Sequence, residues 1–125
     1  MTFEDYEASE EAFQVSAMQY IRYCHPDVLA FHVPNGGKRS AREGAKFKRQ
    51  GVLAGVPYIL IIKQKGGFNG FAIELKVKGG RLSPSQKERL QQFEAEGFKT
   101  LVTYSLDEFI NEIDNYLKIN KNARL

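Results

Sequence analysis

Glu74 and Lys76 stand two residues apart inside the run Gly70-Phe-Ala-Ile-Glu-Leu-Lys-Val-Lys78. A strand alternates its side chains, so Ala72, Glu74 and Lys76 share one face, and Ile73, Leu75 and Val77 share the other. A carboxylate and an ammonium on a half-buried strand are costly to desolvate unless they have partners or work. One such work is phosphodiester chemistry. The carboxylate holds a divalent cation, and the lysine places or activates a water beside the scissile phosphate. Alone, the pattern far more often describes a surface ion pair on an edge strand. The rest of the chain has to decide between them.

The second chemical feature is a basic segment. From Asn35 to Gln50, Lys38, Arg39, Arg42, Lys46, Lys48 and Arg49 face only Glu43, six bases against one acid in sixteen residues. This is a phosphate-binding footprint or the solvated face of a helix. Lys38, Arg39, Arg42, Lys46 and Lys48 are the best phosphate-contact candidates. The Asn35-Gly36-Gly37 loop would let the backbone approach a nucleic-acid strand and set a helix N-terminus beside it. Such contacts position a duplex and do not read its bases, so they predict recognition of shape or branching with steep salt dependence.

Other reactive side chains read as structural. His32 lies on an expected strand near Pro34, within reach of a site. His25 suits a helix C-terminus. Cys24 reads as a small buried hydrophobe. Tyr6, Tyr20, Tyr23, Tyr104 and Tyr116 are not spaced as a stacking platform and read as core or interface residues.

The elements that must position these groups follow from periodicity and caps. Residues 10–23 carry Phe13, Ala17, Tyr20 and Ile21 at helical spacing, and His25-Pro26 ends the helix. Residues 28–33 read as a strand. Ser40 with Glu43 caps a basic helix that stops near Gly51. Residues 56–62 are β-rich and apolar on both faces, as in a central strand. The turn at 65–70 joins strands 58–63 and 71–77 into a hairpin. Ser83-Pro84-Ser85-Gln86 starts a helix that faces Leu90 and Phe93 inward and ends at Gly97. A strand at 99–104 follows. Ser105 with Glu108 then caps a last helix bearing Phe109, Ile110, Ile113 and Leu117 on its inner face. The predicted order is α-β-α-β-β-α-β-α, an α/β domain with a small mixed sheet flanked by helices.

Length and composition set the outer bounds. The chain has 125 residues, 42% hydrophobic and 26% charged, which fits one domain spanning 1–125. Residues 1–9 are expected to be an acidic arm and 120–125 a frayed tail. The net charge of +3 hides an asymmetry: residues 1–11 hold five acids and no base, leaving +8 on the remainder. No apolar stretch approaches the ~18 residues of a membrane span. The acidic start is unlike a signal or transit peptide. One cysteine excludes an internal disulfide and a multi-cysteine zinc site. The expectation is a cytoplasmic protein with no membrane partner.

Four motifs in order, Pro34-Asn-Gly-Gly-Lys-Arg39, Gly51-Val-Leu-Ala-Gly-Val-Pro57, Glu74-Leu-Lys76 and Leu82-Ser-Pro-Ser-Gln86, resemble the VRR-NUC family. These virus-type replication-repair nucleases are a branch of the PD-(D/E)xK superfamily. The likeness runs from about Glu10 to Ile113, and the compact single-domain form is similar to phage and prophage members. It implies a restriction-endonuclease-like fold and a Mg²⁺- or Mn²⁺-dependent endonuclease working in a bacterial host. Its substrate would be branched DNA such as four-way (Holliday) junctions. Glu74 and Lys76 match the family's catalytic pair, with the main-chain carbonyl of Leu75 completing the metal shell. Gln86 matches a glutamine close to the active site, and Glu10, with Glu11 as the alternative, matches a first-helix metal ligand. Small members are often homodimers.

One position departs from the pattern. The family has Gly-Val-Pro-Asp, whose Asp binds metal; this chain has Gly55-Val-Pro-Tyr58. A neutral phenol, pKa near ~10, is a poor ligand for Mg²⁺, which prefers carboxylates and water. The resemblance therefore implies the nuclease fold with impaired hydrolysis. The alternative is a catalytically silent DNA-binding module of the same fold, and a third, weaker reading is a fold used only for protein interaction.

Overall fold

The structure, a computed structural model, describes residues 3–34 and 40–118, with side chains from residue 10 onward. The sheet has four strands in the order β1-β2-β3-β4: β1 (Ala30–His32), β2 (Ile59–Ile61), β3 (Gly70–Leu75) and β4 (Phe98–Thr103). β1, β2 and β3 are successively antiparallel, and β4 runs parallel to β3. A parallel neighbour needs a crossover, and α3 (Pro84–Ala95) supplies it. α1 (Phe3–Cys24) and α4 (Leu106–Lys118) complete one layer, and α2 (Ala41–Arg49) lies between β1 and β2 in the chain. The order is the one the sequence predicts.

Helical spacing puts Ala17, Met18 and Ile21 on one stripe of α1, and all three are buried. They pack with Ile59, Ile61, Phe71, Ile73 and Leu75 from the sheet and Phe109, Ile113 and Tyr116 from α4. The Tyr116 hydroxyl, carried into this core, donates to the Lys63 carbonyl at 2.5 Å. At the far end of α1, Asp114 Oδ1 accepts from the Tyr20 hydroxyl (2.6 Å) and from His25 Nε2 (2.9 Å). These bonds hold the Asp114 carboxyl below the usual range and tie α1 to α4. His25 is thus bonded across the fold, a role that its place at a helix end does not reveal.

Three local expectations change. The backbone is helical from Phe3, so most of the expected acidic arm belongs to α1. Residues 3–9 contain no Gly or Pro, and acids at a helix N-terminus are favoured by its dipole. Cys24 is exposed, because it closes α1 beyond the buried stripe, and Tyr23 beside it is exposed too. β3 is not half-buried: every residue from Gly70 to Leu75 is buried. It lies between β2 and β4 with both faces covered, which sharpens the cost of placing Glu74 there.

The loop before β2 is seated on the first turn of α3. Gly55 has φ +83°, and a Cβ there would lie 2.5 Å from the Ser85 carbonyl and 2.8 Å from the Gln86 nitrogen. Arg89 Nε adds a bond of 3.0 Å to the Ala54 carbonyl. Gly55→Ala should therefore cost about 3 kcal/mol, from backbone overpacking plus the left-handed conformation. Gly51 has φ +94° and open space around it, so Gly51→Ala should cost only about 1 kcal/mol. Thermal unfolding of the two variants separates the terms, and equal shifts would show that the Gly55 approach is not tight.

Candidate active site

β-Strand alternation turns Ile73 and Leu75 into the core and Glu74 to the opposite face. Glu74 has no accessible surface, and neither of its carboxylate oxygens has a hydrogen-bond partner. An unpaired buried carboxylate is among the most expensive groups a domain can carry. Burial pushes its pKa up to about 8; Lys76 pulls the other way, and the charge of Glu10 adds to the rise. Lys76 follows on the same strand direction and is also buried, with its backbone N–H on the Thr103 carbonyl at 2.9 Å. The bland alternative of a surface ion pair is excluded: both groups are interior.

The β2–β3 register pairs Ile59 with Ile73, so one step further along both strands brings Tyr58 beside Glu74. The Tyr58 hydroxyl donates to Glu10 Oε1 at 2.5 Å, a charge-assisted bond from the loop to α1. His32 Nδ1 donates to the Tyr58 carbonyl (2.9 Å), and the His32 ring stands edge-on to the phenol at 5.5 Å. His32 thus positions Tyr58 from the neighbouring strand. Glu10, Tyr58, Glu74 and Lys76, drawn from α1, the β2 approach and β3, form one polar cluster. Glu11, the alternative to Glu10, is exposed.

Gln86 occupies the third position of α3. Its Oε1 accepts from the Ser83 N–H (2.8 Å), and its own N–H donates to Ser83 Oγ (3.2 Å). Both halves of the capping box are present, so the side-chain carbonyl already has a structural use. Its backbone touches the Gly55 loop that leads to Tyr58.

The basic helix α2 is capped as expected, with the Glu43 N–H donating to Ser40 Oγ at 3.1 Å. None of its residues is buried. Arg42, Ala45, Lys48 and Arg49 line an open depression of about 430 Å³. Arg49 joins the contact candidates only through this geometry; its i+7 spacing from Arg42 is the signal in the sequence that points to it. Lys46 lies on the same helix. Asn35, Gly36, Gly37, Lys38 and Arg39 lie outside the described residues.

A mixed four-stranded sheet that presents a buried Glu-x-Lys pair beside a first-helix glutamate defines a nuclease-type α/β domain. The VRR-NUC domain model matches residues 10–107, and the chain belongs to that family. A solved structure described as a VRR_NUC domain protein is similar, with 29% identity, a TM-score of 0.73 and 89% of each chain covered. No curated protein matches the chain.

A divalent cation of the kind such nucleases usually need meets an incomplete donor set here. The two unpartnered oxygens of Glu74 suit a cation. Glu10, however, already accepts a hydrogen bond from the Tyr58 hydroxyl, and Tyr58 stands where the resemblance leads one to expect a carboxylate. Among the described residues no group of three or more His, Cys, Asp or Glu is placed to hold a metal ion. The side chain of Leu75 is in the core, leaving only its backbone between Glu74 and Lys76. The residues present do not make the expected site.

Proposed function

We propose that this chain is a DNA-binding nuclease domain whose metal-dependent hydrolysis is impaired by Tyr58. The observation that carries this is the Tyr58–Glu10 hydrogen bond, made at the point where the family places a metal-binding carboxylate. It leaves Glu74 as a lone buried carboxyl. The wider reading is a structure-specific endodeoxyribonuclease of the phage or prophage type. It would act as a homodimer on branched replication or repair DNA in the cytoplasm of a bacterial host, with Mg²⁺ or Mn²⁺ as the ion of its active relatives. No helix among the described residues is long and apolar enough to cross a membrane.

Binding is the function the residues support without a metal. Arg42, Lys46, Lys48 and Arg49 present four positive charges on an exposed helix, suited to the phosphates of a duplex arm. Lys76, set beside Glu74, would offset phosphate charge nearest the site.

Two assays test the reading together. Four-way-junction DNA should bind equally well in EDTA and in Mg²⁺. The combined variant Arg42→Ala/Lys48→Ala/Arg49→Ala should bind at least about tenfold more weakly, with a shallower dependence on salt. Cleavage of the same DNA by the unaltered chain should stay at background with either ion. Metal-stimulated cutting would overturn the impaired-hydrolysis reading, and absence of any DNA binding at low salt would favour a protein-interaction role.

A further inference from the structure

The basic helix α2 ends in a complete Schellman motif. Gly51 has φ +94°, its N–H donates to the Lys48 carbonyl (3.1 Å), and the Val52 N–H donates to the Phe47 carbonyl (2.9 Å). The far end of the same loop is fixed by the Arg89 bond to the Ala54 carbonyl and by the seat of Gly55 on α3. Residues 51–54 between these anchors are all exposed. Such a loop is ordinarily polar, yet this one carries Val52 and Leu53, 39% and 49% exposed. Val52 has a structural use, because the motif commonly packs this side chain on that of Phe47. Leu53 has none among the described residues: it belongs neither to the buried core nor to the side chains packed against it. Positive charge flanks it. Lys46, Lys48 and Arg49 crowd the last turn of α2, whose one acid, Glu43, lies in the first turn. Arg89 reaches the residue after Leu53, with Glu88 at 3.8 Å as its own partner.

We infer that Leu53 is a wedge for DNA, set to cover the face of a base pair left open at a branch or strand discontinuity. The inference rests on the DNA-binding reading above and adds the residue that selects branched over continuous duplex. Phosphate contacts alone cannot select, since a straight arm presents the same charges as a branched one. An apolar side chain can. In a continuous duplex the base faces are stacked and closed to it. At a branch the last pair exposes its face to water, and a leucine laid on it removes apolar surface from water on both partners. Leucine is among the side chains that DNA-bending proteins insert at base steps. A loop anchored at both ends loses little freedom when it binds. The cations of α2 beside it match a phosphate backbone, whereas an apolar protein surface would leave them unmatched. Leu53 precedes Tyr58 by five residues, so the open pair would lie within about 18 Å of position 58.

The test compares the affinity of the full chain in EDTA for a four-way junction and for a linear duplex of equal length, with 2-aminopurine at the branch point. The unaltered chain should prefer the junction by at least about tenfold. The probe should brighten on binding, because a wedge separates it from the neighbouring bases that quench it. Leu53→Ser should bring the two affinities within about twofold of each other and abolish the brightening, and Leu53→Met, equally apolar, should keep both. Leu53 is exposed, so neither variant should shift thermal unfolding. Equal affinities for the unaltered chain, or a preference and a brightening that Leu53→Ser leaves intact, would overturn the wedge and keep DNA binding. Equal weakening of both DNAs by Leu53→Ser would overturn it too. Failure to bind either DNA at low salt would overturn the DNA-binding reading with it. A self-associating chain that Leu53→Ser makes monomeric, with its junction preference unchanged, would assign the leucine to a protein contact and overturn the proposal.

Discussion

Tyr58→Asp should turn this chain into a metal-dependent nuclease, raising cleavage of junction DNA in Mn²⁺ or Mg²⁺ by roughly a hundred- to a thousand-fold. The substitution removes the donor on Glu10 and puts a third carboxylate beside Glu74, one register step from the β2–β3 pair Ile59–Ile73. Without metal, three crowded acids repel, and the variant should lose about 2 to 4 kcal/mol of stability in EDTA. Metal that binds only the folded state should restore about 2.7 kcal/mol when present at a hundred times its dissociation constant. Thermal unfolding with and without Mn²⁺ therefore reports the site independently of cleavage. Adding Lys76→Ala should abolish the gained cutting while leaving most of the metal-dependent stabilisation. If Tyr58→Asp neither cuts nor responds to Mn²⁺, the assignment of Glu10, position 58 and Glu74 to one metal site is wrong.

Glu74→Gln should change how stability depends on pH more than any other single substitution. The Glu74 carboxyl is raised from 4.5 to about 8 by burial. Between those values the folded chain holds a proton that the unfolded chain has released, so stability falls as pH rises. Below pH 4.5 the group is protonated in both states and imposes no charge-burial cost. Above pH 8 the folded state carries the full charge, a penalty on the order of 5 kcal/mol. Gln keeps the shape and removes the titration. The variant should match the unaltered chain near pH 4.5, exceed it by a few kcal/mol at about pH 9, and show a flatter profile between. Urea midpoints across that range are the measurement. Parallel profiles would mean that Glu74 is solvated or paired in solution, contrary to its two unpartnered oxygens.

Much of the architecture is legible in the chain alone. The capping pair Ser83 and Gln86, the inward set Phe109, Ile113 and Leu117, and the stop at Gly97 are local signals, set by backbone chemistry within a few residues. Strand ends are less legible. β1 and β2 are each three residues long, shorter than their apolar runs, because ladder pairing and not side-chain type decides where a strand stops. Cys24 departs from its expected burial because burial depends on whether its helix turn still faces the sheet.

For the site, the sequence by itself determined the chemistry: a Glu-x-Lys strand, a basic helix, and a tyrosine at position 58. Residue type and spacing carry that information directly. Only the tertiary structure decided what those groups meet. It buried Glu74 without a partner and joined Tyr58 to Glu10 across 48 positions of chain. Each outcome depends on packing between distant elements, where the cost of a charge or an unpaired peptide group is fixed by what surrounds it.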